Sequence, residues 1–178
     1  MPDRSPDVVF TIGHSTRSAD EFLALLRAHG IQQLADIRTV PKSGRHPQFT
    51  AIVLGAFLHR HGIVYRHCPA LGGLRKPKPD SVNSGWRHPG FRGYADHMQT
   101  PAFEAGLSEL LNFAREAPTT VMCAEAVWWQ CHRQLLSDAL VARGVAVRHI
   151  LDLGAPKSHQ LSDFAQVLGK RIWYPGLL

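Results

Sequence analysis

Apolar residues in this chain alternate between short β-rich runs and longer stripes at helical spacing. Val8-Val9-Phe10-Thr11-Ile12 stops at Gly13 and predicts a first strand. Ser18 and Glu21 have capping-box spacing. Phe22, Leu23, Leu25 and Leu26 supply the apolar stripe of the next helix, and Gly30 ends it. Residues 31–37 predict a second strand, 39–48 a Pro-containing loop, 50–61 a helix carrying Leu54, Phe57 and Leu58, and 63–66 a third strand. His29-Gly30-Ile31, His61-Gly62-Ile63 and Arg143-Gly144-Val145 repeat one junction: a cation in the last helical turn, Gly just beyond it, then a β-rich run.

From 68 to 93 no periodicity survives, and a connection of that length is uncommon inside a compact domain unless it has a task. Residues 91–98 predict a short helix. Pro101 after Thr100 opens the next, with Phe103, Leu107, Leu110 and Leu111 as its stripe. Thr119-Thr120-Val121-Met122 reads as a fourth strand, 131–143 as a helix, 145–151 as a fifth strand, and 161–168 as a last helix before Ile172-Trp173-Tyr174-Pro175. This alternation predicts a single three-layer α/β domain over residues 1–178, with a mostly parallel sheet of about five strands and helices on both faces. The C-terminal helix and tail, 156–178, append to it.

Composition changes this picture little. The chain has 178 residues, 44% hydrophobic and 19% charged, as a soluble globular protein does. No apolar run approaches the roughly 18 residues of a membrane helix. Met1-Pro2-Asp3-Arg4-Ser5 carries no apolar signal region, and three cysteines exclude a full disulfide framework, so a cytoplasmic location with reduced thiols is expected. Charge is more informative. A net charge of +6 with eleven histidines suits an anionic partner, either a phosphate-like small molecule or nucleic acid.

The chemistry-bearing residues come after the strands. After the first strand come His14 and Ser15; the second ends in Asp36-Ile37-Arg38; the third leads to Cys68 and Gly72-Gly73. The fourth leads to Cys123-Ala124-Glu125 and Cys131-His132-Arg133, and the fifth ends near His149 and Asp152. In a parallel sheet these positions share the carboxyl edge, where open α/β folds bind ligands. Cys131 at a helix start beside Arg133 would have its pKa brought below the roughly 8.5 of a free thiol. Cys131, Glu125 and His14 are therefore the candidate catalytic groups, as nucleophile or redox thiol and acid or base. Arg38, Arg133, His132, Gly72, Gly73 and Ser15 are the candidate ligand-binding residues.

Two readings compete. Arg75, Lys76, Lys78, Arg87, His88 and Arg92, interleaved with Trp86, Phe91 and Tyr94, suit a nucleic-acid-binding loop at 68–93, or a basic lid over a small-molecule site. Cys123, Cys131 and His132 are possible zinc ligands, although the spacing lacks a CxxC knuckle. No Walker loop, G-x-G-x-x-G or Cys-x5-Arg loop occurs. Trp128 and Trp129 either cap the core or line a pocket.

Six ordered motifs carry a resemblance. Thr11-Ile12-Gly13-His14-Ser15, Asp36-Ile37-Arg38 with Pro41 and Ser43, Gly62-Ile63-x-Tyr65, Leu71-Gly72-Gly73, Cys123-Ala124-Glu125 and Cys131-His132-Arg133 resemble the bacterial and archaeal domain of unknown function numbered 488, over about residues 10–150. Many members have a proline between the last two motifs, about where this chain has Trp128. The resemblance implies the fold and the motif positions. The residues themselves point to an enzyme or enzyme-like domain, a cysteine-dependent transferase, hydrolase or redox enzyme, acting on a phosphate- or nucleotide-like anion. They name no cofactor.

Overall fold

A computed structural model describes residues 6–176 of the chain. Residues 1–5, where no signal region was expected, lie outside them. The sheet has six strands in the order β3-β2-β4-β1-β5-β6: β1 (Val8–Gly13), β2 (Gln33–Asp36), β3 (Val64–His67), β4 (Thr119–Cys123), β5 (Ala146–Ile150) and β6 (Lys157–Ser158). The first five are parallel; β6 runs antiparallel along β5. Five helices accompany them: α1 (Ala19–Ala28), α2 (Ala51–Arg60), α3 (Pro89–His97), α4 (Pro101–Ala114) and α5 (Arg133–Val141). The protein is an α/β domain, and no described helix is long and apolar enough to cross a membrane.

Strand sequences explain strand positions. β4, Thr119–Cys123, is buried at every residue because helices cover both faces of the sheet centre. Alternation splits the core into two halves. Ala35 and Val121 face Phe103, Leu107, Leu110, Leu136 and Leu140 of α4 and α5, while Leu34 and Met122 face Phe22, Leu26, Leu54 and Leu58 of α1 and α2. β3 is an edge strand and is exposed at Val64. Ser18 and Glu21 cap α1 reciprocally, as their spacing predicts.

This topology creates a crevice. From β1 the chain leaves over one face through α1; from its neighbour β4 it leaves over the other through α5. Adjacent parallel strands whose connections diverge leave an opening at their carboxyl ends. Gly13 and Cys123 sit opposite each other there, and the ladder continues one step beyond, with His14 N–H donating to Cys123 O at 2.9 Å and Ser15 N–H to Ala124 O at 2.9 Å.

The mostly parallel sheet is as expected, with the short antiparallel β6 added at its edge. One expectation fails at the C-terminal end: 161–168 is not a helix. Instead, β7 (Gln166–Leu168) and β8 (Arg171–Trp173) pair as a hairpin. Gly169 turns it at φ 63°, and Gly opening a two-residue connection is a hairpin signal that outweighs the short apolar stripe. Tertiary contacts finish the competition. Ser162 donates its N–H and Oγ to the buried Asp138 carboxylate at 3.1 and 2.7 Å, and Phe164 packs edge-on against Trp86. Tyr174 OH donates to the same carboxylate at 2.8 Å.

Asp138 thus fastens the tail to α5. Hydrogen bonds to a charged group are worth about 1.5–3 kcal/mol, and Tyr174→Phe removes one while keeping the ring. Urea denaturation of Tyr174→Phe should lose an amount in that range; a loss near zero would mean that Asp138 does not hold the tail.

Candidate functional site

The cleft at the ends of β1, β2 and β4 has a volume of about 780 Å³. Its lining comes from four segments: His14–Thr16 after β1, Arg38–Val40 and Lys42–His46 after β2, Gly73 and Leu74, and Cys123–Ala126 with Gln130 and His132. The lining holds three permanent cations, Arg38, Lys42 and Arg45, and one acidic residue, Glu125. Two of the lining residues, Ser15 and Leu74, are the non-glycine residues with left-handed backbone among those described, at φ 51° and 58°. Such conformations cost free energy and cluster at ligand sites.

Beneath this cleft lies a sulfur pair. Cys123 Sγ and Cys131 Sγ are 2.9 Å apart, both buried and not joined by a disulfide. Burial pushes both thiols up, but the pair is asymmetric. Cys131 lies against the Cys123 sulfur and accepts the Arg133 N–H at 3.3 Å and Arg133 Nε–H at 3.2 Å, and together these contacts outweigh desolvation and bring its pKa to about 6. Cys123 is pushed well above the usual thiol value by burial and by its hydrogen bond to Cys131. At pH 7 the pair therefore holds one proton, on Cys123, and one charge, on Cys131.

Arg133 is fully buried, and each of its three side-chain nitrogens has a partner. Besides Cys131 it donates from Nη2 to Glu125 O at 2.6 Å and from Nη1 to Thr11 Oγ1 at 3.4 Å. It does not line the cleft; its N–H groups are directed at the Cys131 sulfur from behind. Glu125 anchors it through the backbone carbonyl, leaving the carboxylate at the rim. Gly13 makes this possible, because a Cβ there would lie 1.6 Å from that carbonyl oxygen.

Arg38 and His14 stand on the cleft wall. Arg38 chelates Asp36 from Nε and Nη2 at 2.9 and 2.6 Å and also reaches Phe49 O, leaving Nη1 toward His14 Nε2 at 3.4 Å. Tyr65 OH donates to Asp36 as well. His14 stacks on Phe49 with centroids 4.4 Å apart, and burial brings its pKa to about 4. Its Nδ1 lies 2.9 Å from Ser15 O, so the neutral ring donates there and Nε2 keeps its lone pair. His132 faces inward: Nε2 donates to Ile37 O at 3.0 Å, burial takes its pKa to about 4, and Gly73 packs on the ring, where a Cβ would come within 2.9 Å of Nδ1. Gly72 leaves room for Thr39 and does not line the cleft.

Several expected partners lie elsewhere. The cations of 68–93 do not border the cleft; Arg75 bonds Gly72 O and Pro69 O. Asp96 of α3 braces that loop through Lys78 N, Ser81 Oγ and Asn83 Nδ2. Its aromatics are packed inward. Tyr94 is buried, and Trp86 sits edge-on among Phe91, Phe164 and Tyr174, which removes the stacking surface of the nucleic-acid reading. His132 turns from the sulfurs, so the zinc set does not form; among the described residues no group of three or more His, Cys, Asp or Glu is placed to hold a metal. His149 is interior, stacked on Trp128 at 4.0 Å, and neither Trp128 nor Trp129 lines the cleft. The cations missed in sequence are Lys42 and Arg45. Their signal was position, on the loop after β2 at the same edge.

Two titrations test these charges. Thiolate ultraviolet absorbance should rise with a midpoint near pH 6, vanish in Cys131→Ser and move upward in Arg133→Met; a midpoint above 8 in the wild type would contradict the asymmetry. Burial holds His14 and His132 at about 4 and His149 at about 3, so below the ordinary 6.5 the unfolded chain binds more protons than the folded one. The imidazole contribution to thermal stability should therefore be full above pH 6.5 and fall steadily toward pH 4. The Cys131 thiolate acts in the same direction at higher pH: its contribution is lost as pH falls from about 9 to about 6. A flat melting temperature between pH 7 and 4.5 would contradict this.

No curated protein and no solved structure matches the chain. Residues 18–140 match the family described as Domain of unknown function DUF488. The matched span runs from the cap of α1 into α5 and holds five of the six motifs, with the Thr11–Ser15 motif outside it. The chain belongs to the DUF488 family.

Proposed function

We propose that this protein binds a phosphate- or nucleotide-like anion in the carboxyl-edge cleft and carries out cysteine-dependent chemistry on it. The observation that carries this reading is one constellation: a thiol–thiolate pair at the floor of a cleft whose walls bear three permanent cations and one carboxylate. A buried thiolate is costly unless paired, and Arg133 supplies the pairing from behind. That leaves Lys42 and Arg45 on the cleft side to hold a second negative charge.

The roles divide by position. Lys42 and Arg45 bind the anion, with Arg38 adding Nη1 from a guanidinium fixed by Asp36. Cys123 lines the cleft and is the attacking sulfur. Cys131 stores the charge and accepts the Cys123 proton as Cys123 attacks, so it serves as base to its neighbour. His14, neutral with its Nε2 lone pair toward Arg38 Nη1, is the acid–base group on the wall, and the Glu125 carboxylate stands at the rim.

Calorimetric titration of the reduced protein with inorganic phosphate tests this. Binding should weaken as salt rises. Lys42→Ala with Arg45→Ala should raise Kd about tenfold or more, from the usual worth of charge-assisted hydrogen bonds. Arg75→Ser with Lys76→Ser should leave Kd unchanged. Equal loss in both pairs, or no phosphate binding by the parent protein, would overturn the reading.

A further inference from the structure

The same sulfur pair has a second capacity. A disulfide needs an S–S separation of about 2.05 Å, and these sulfurs begin at 2.9 Å, so less than about 1 Å of movement closes the bond. Their approach is built in. Cys123 ends β4 and Cys131 sits two residues before α5. The loop between them is fixed by Glu125 O on the Arg133 guanidinium and by Trp128 stacked on His149. No unfolding is required to join them. Cys68, by contrast, lies away from the pair, near Arg66 O, and burial raises its pKa to about 11.

Access favours a small oxidant. Cys123 lines the cleft, yet only 1% of its surface is exposed, which excludes a bulky disulfide and restricts reaction to a reactant of a few atoms. The Arg38 guanidinium on the same wall offers positive charge to a departing oxygen.

We propose that Cys123 and Cys131 form a two-electron redox couple that reduces a hydroperoxide and closes an intramolecular disulfide at the floor of the cleft. The inference rests on the proposed cleft function for the route of access. Cys123 Sγ attacks the distal peroxide oxygen while its proton passes to the Cys131 thiolate. The O–O bond breaks, Cys123 becomes a sulfenic acid, and the departing oxygen takes the proton from Cys131 to leave as alcohol, or as water from hydrogen peroxide. The regenerated Cys131 thiolate attacks Cys123 Sγ. The S–S bond forms, and hydroxide leaves and becomes water with a proton from solvent. The two sulfurs lose two electrons and the peroxide gains them.

Oxidation also changes the cleft. It removes the one negative charge beneath it and leaves the Arg133 guanidinium without its thiolate. An anion in the cleft then meets less repulsion, so the disulfide form binds phosphate more tightly, and by reciprocity bound phosphate favours the disulfide.

The test treats reduced wild-type protein with one equivalent of hydrogen peroxide at pH 7, and then applies peptide mass mapping and phosphate titration. The expected product has lost two hydrogens and carries a Cys123–Cys131 cross-link. Its Kd for phosphate should be on the order of fivefold lower than that of the reduced protein, and dithiothreitol should restore the original value. Cys131→Ser should stop at a sulfenic acid on Cys123 that dimedone traps. Sulfinic acid on Cys131 without a cross-link, or oxidation confined to Cys68, would overturn the couple. The wild-type mapping needs no variant to fold. A missing cross-link with phosphate binding intact refutes this inference alone; a cross-link without any phosphate binding refutes the anion reading and leaves the redox couple standing.

Discussion

The organisation of this protein depends on one buried guanidinium. Arg133 is fully enclosed, and a buried cation persists only where charge and hydrogen bonds compensate it. Its donors reach the Cys131 sulfur, the Glu125 carbonyl and the Thr11 hydroxyl, which belong to the start of α5, the loop after β4 and the middle of β1. One side chain therefore ties together three segments that meet at the divergence point of the sheet. The thiolate is as much a requirement of Arg133 as a product of it.

The tie extends inward. Thr11 Oγ1 lies 2.7 Å from His149 Nδ1, His149 Nε2 lies 2.9 Å from His159 Nδ1, and His159 Nε2 lies 2.8 Å from Asp138 Oδ1. One hydrogen-bond polarity that satisfies every contact runs from Arg133 to Thr11, from Thr11 to His149, from His149 to His159 and from His159 to Asp138. The chain of bonds begins at a cation and ends at a carboxylate, so each dipole is aligned favourably. Asp138 also receives Ser162 and Tyr174, and this joins the C-terminal segment to the same network. The tail that sequence periodicity made a helix is held by polar contacts with partners distant in the chain.

Legibility in the sequence tracks the range of the forces involved. Strand and helix positions rest on local periodicity and caps, and β1 through β5 and α1 through α5 lie where the apolar pattern and Gly30, Gly62 and Gly144 put them. The carboxyl-edge grouping also comes from local order, because parallel strands bring their ends together. Side-chain direction does not. Arg133 and Arg38 look alike in sequence, yet one is enclosed behind the sulfurs and the other reaches the wall. Nothing local distinguishes Lys42 and Arg45, which line the cleft, from Arg75 and Lys76, which do not; Asp96, eighteen residues beyond Lys78, settles where that loop lies. The apposition of Cys123 and Cys131 is visible only once the loop between them is folded back by Glu125 and Trp128.

The central claim is that a single proton is shared unequally by two sulfurs because Arg133 faces one of them. A neutron structure of the reduced protein at pH 7 reads that arrangement directly. The account predicts one deuteron between the sulfurs, bonded to Cys123, none on Cys131, and a fully protonated Arg133 with Nε–D directed at Cys131. A deuteron on each sulfur, or a bare Cys123 with the deuteron on Cys131, would contradict it.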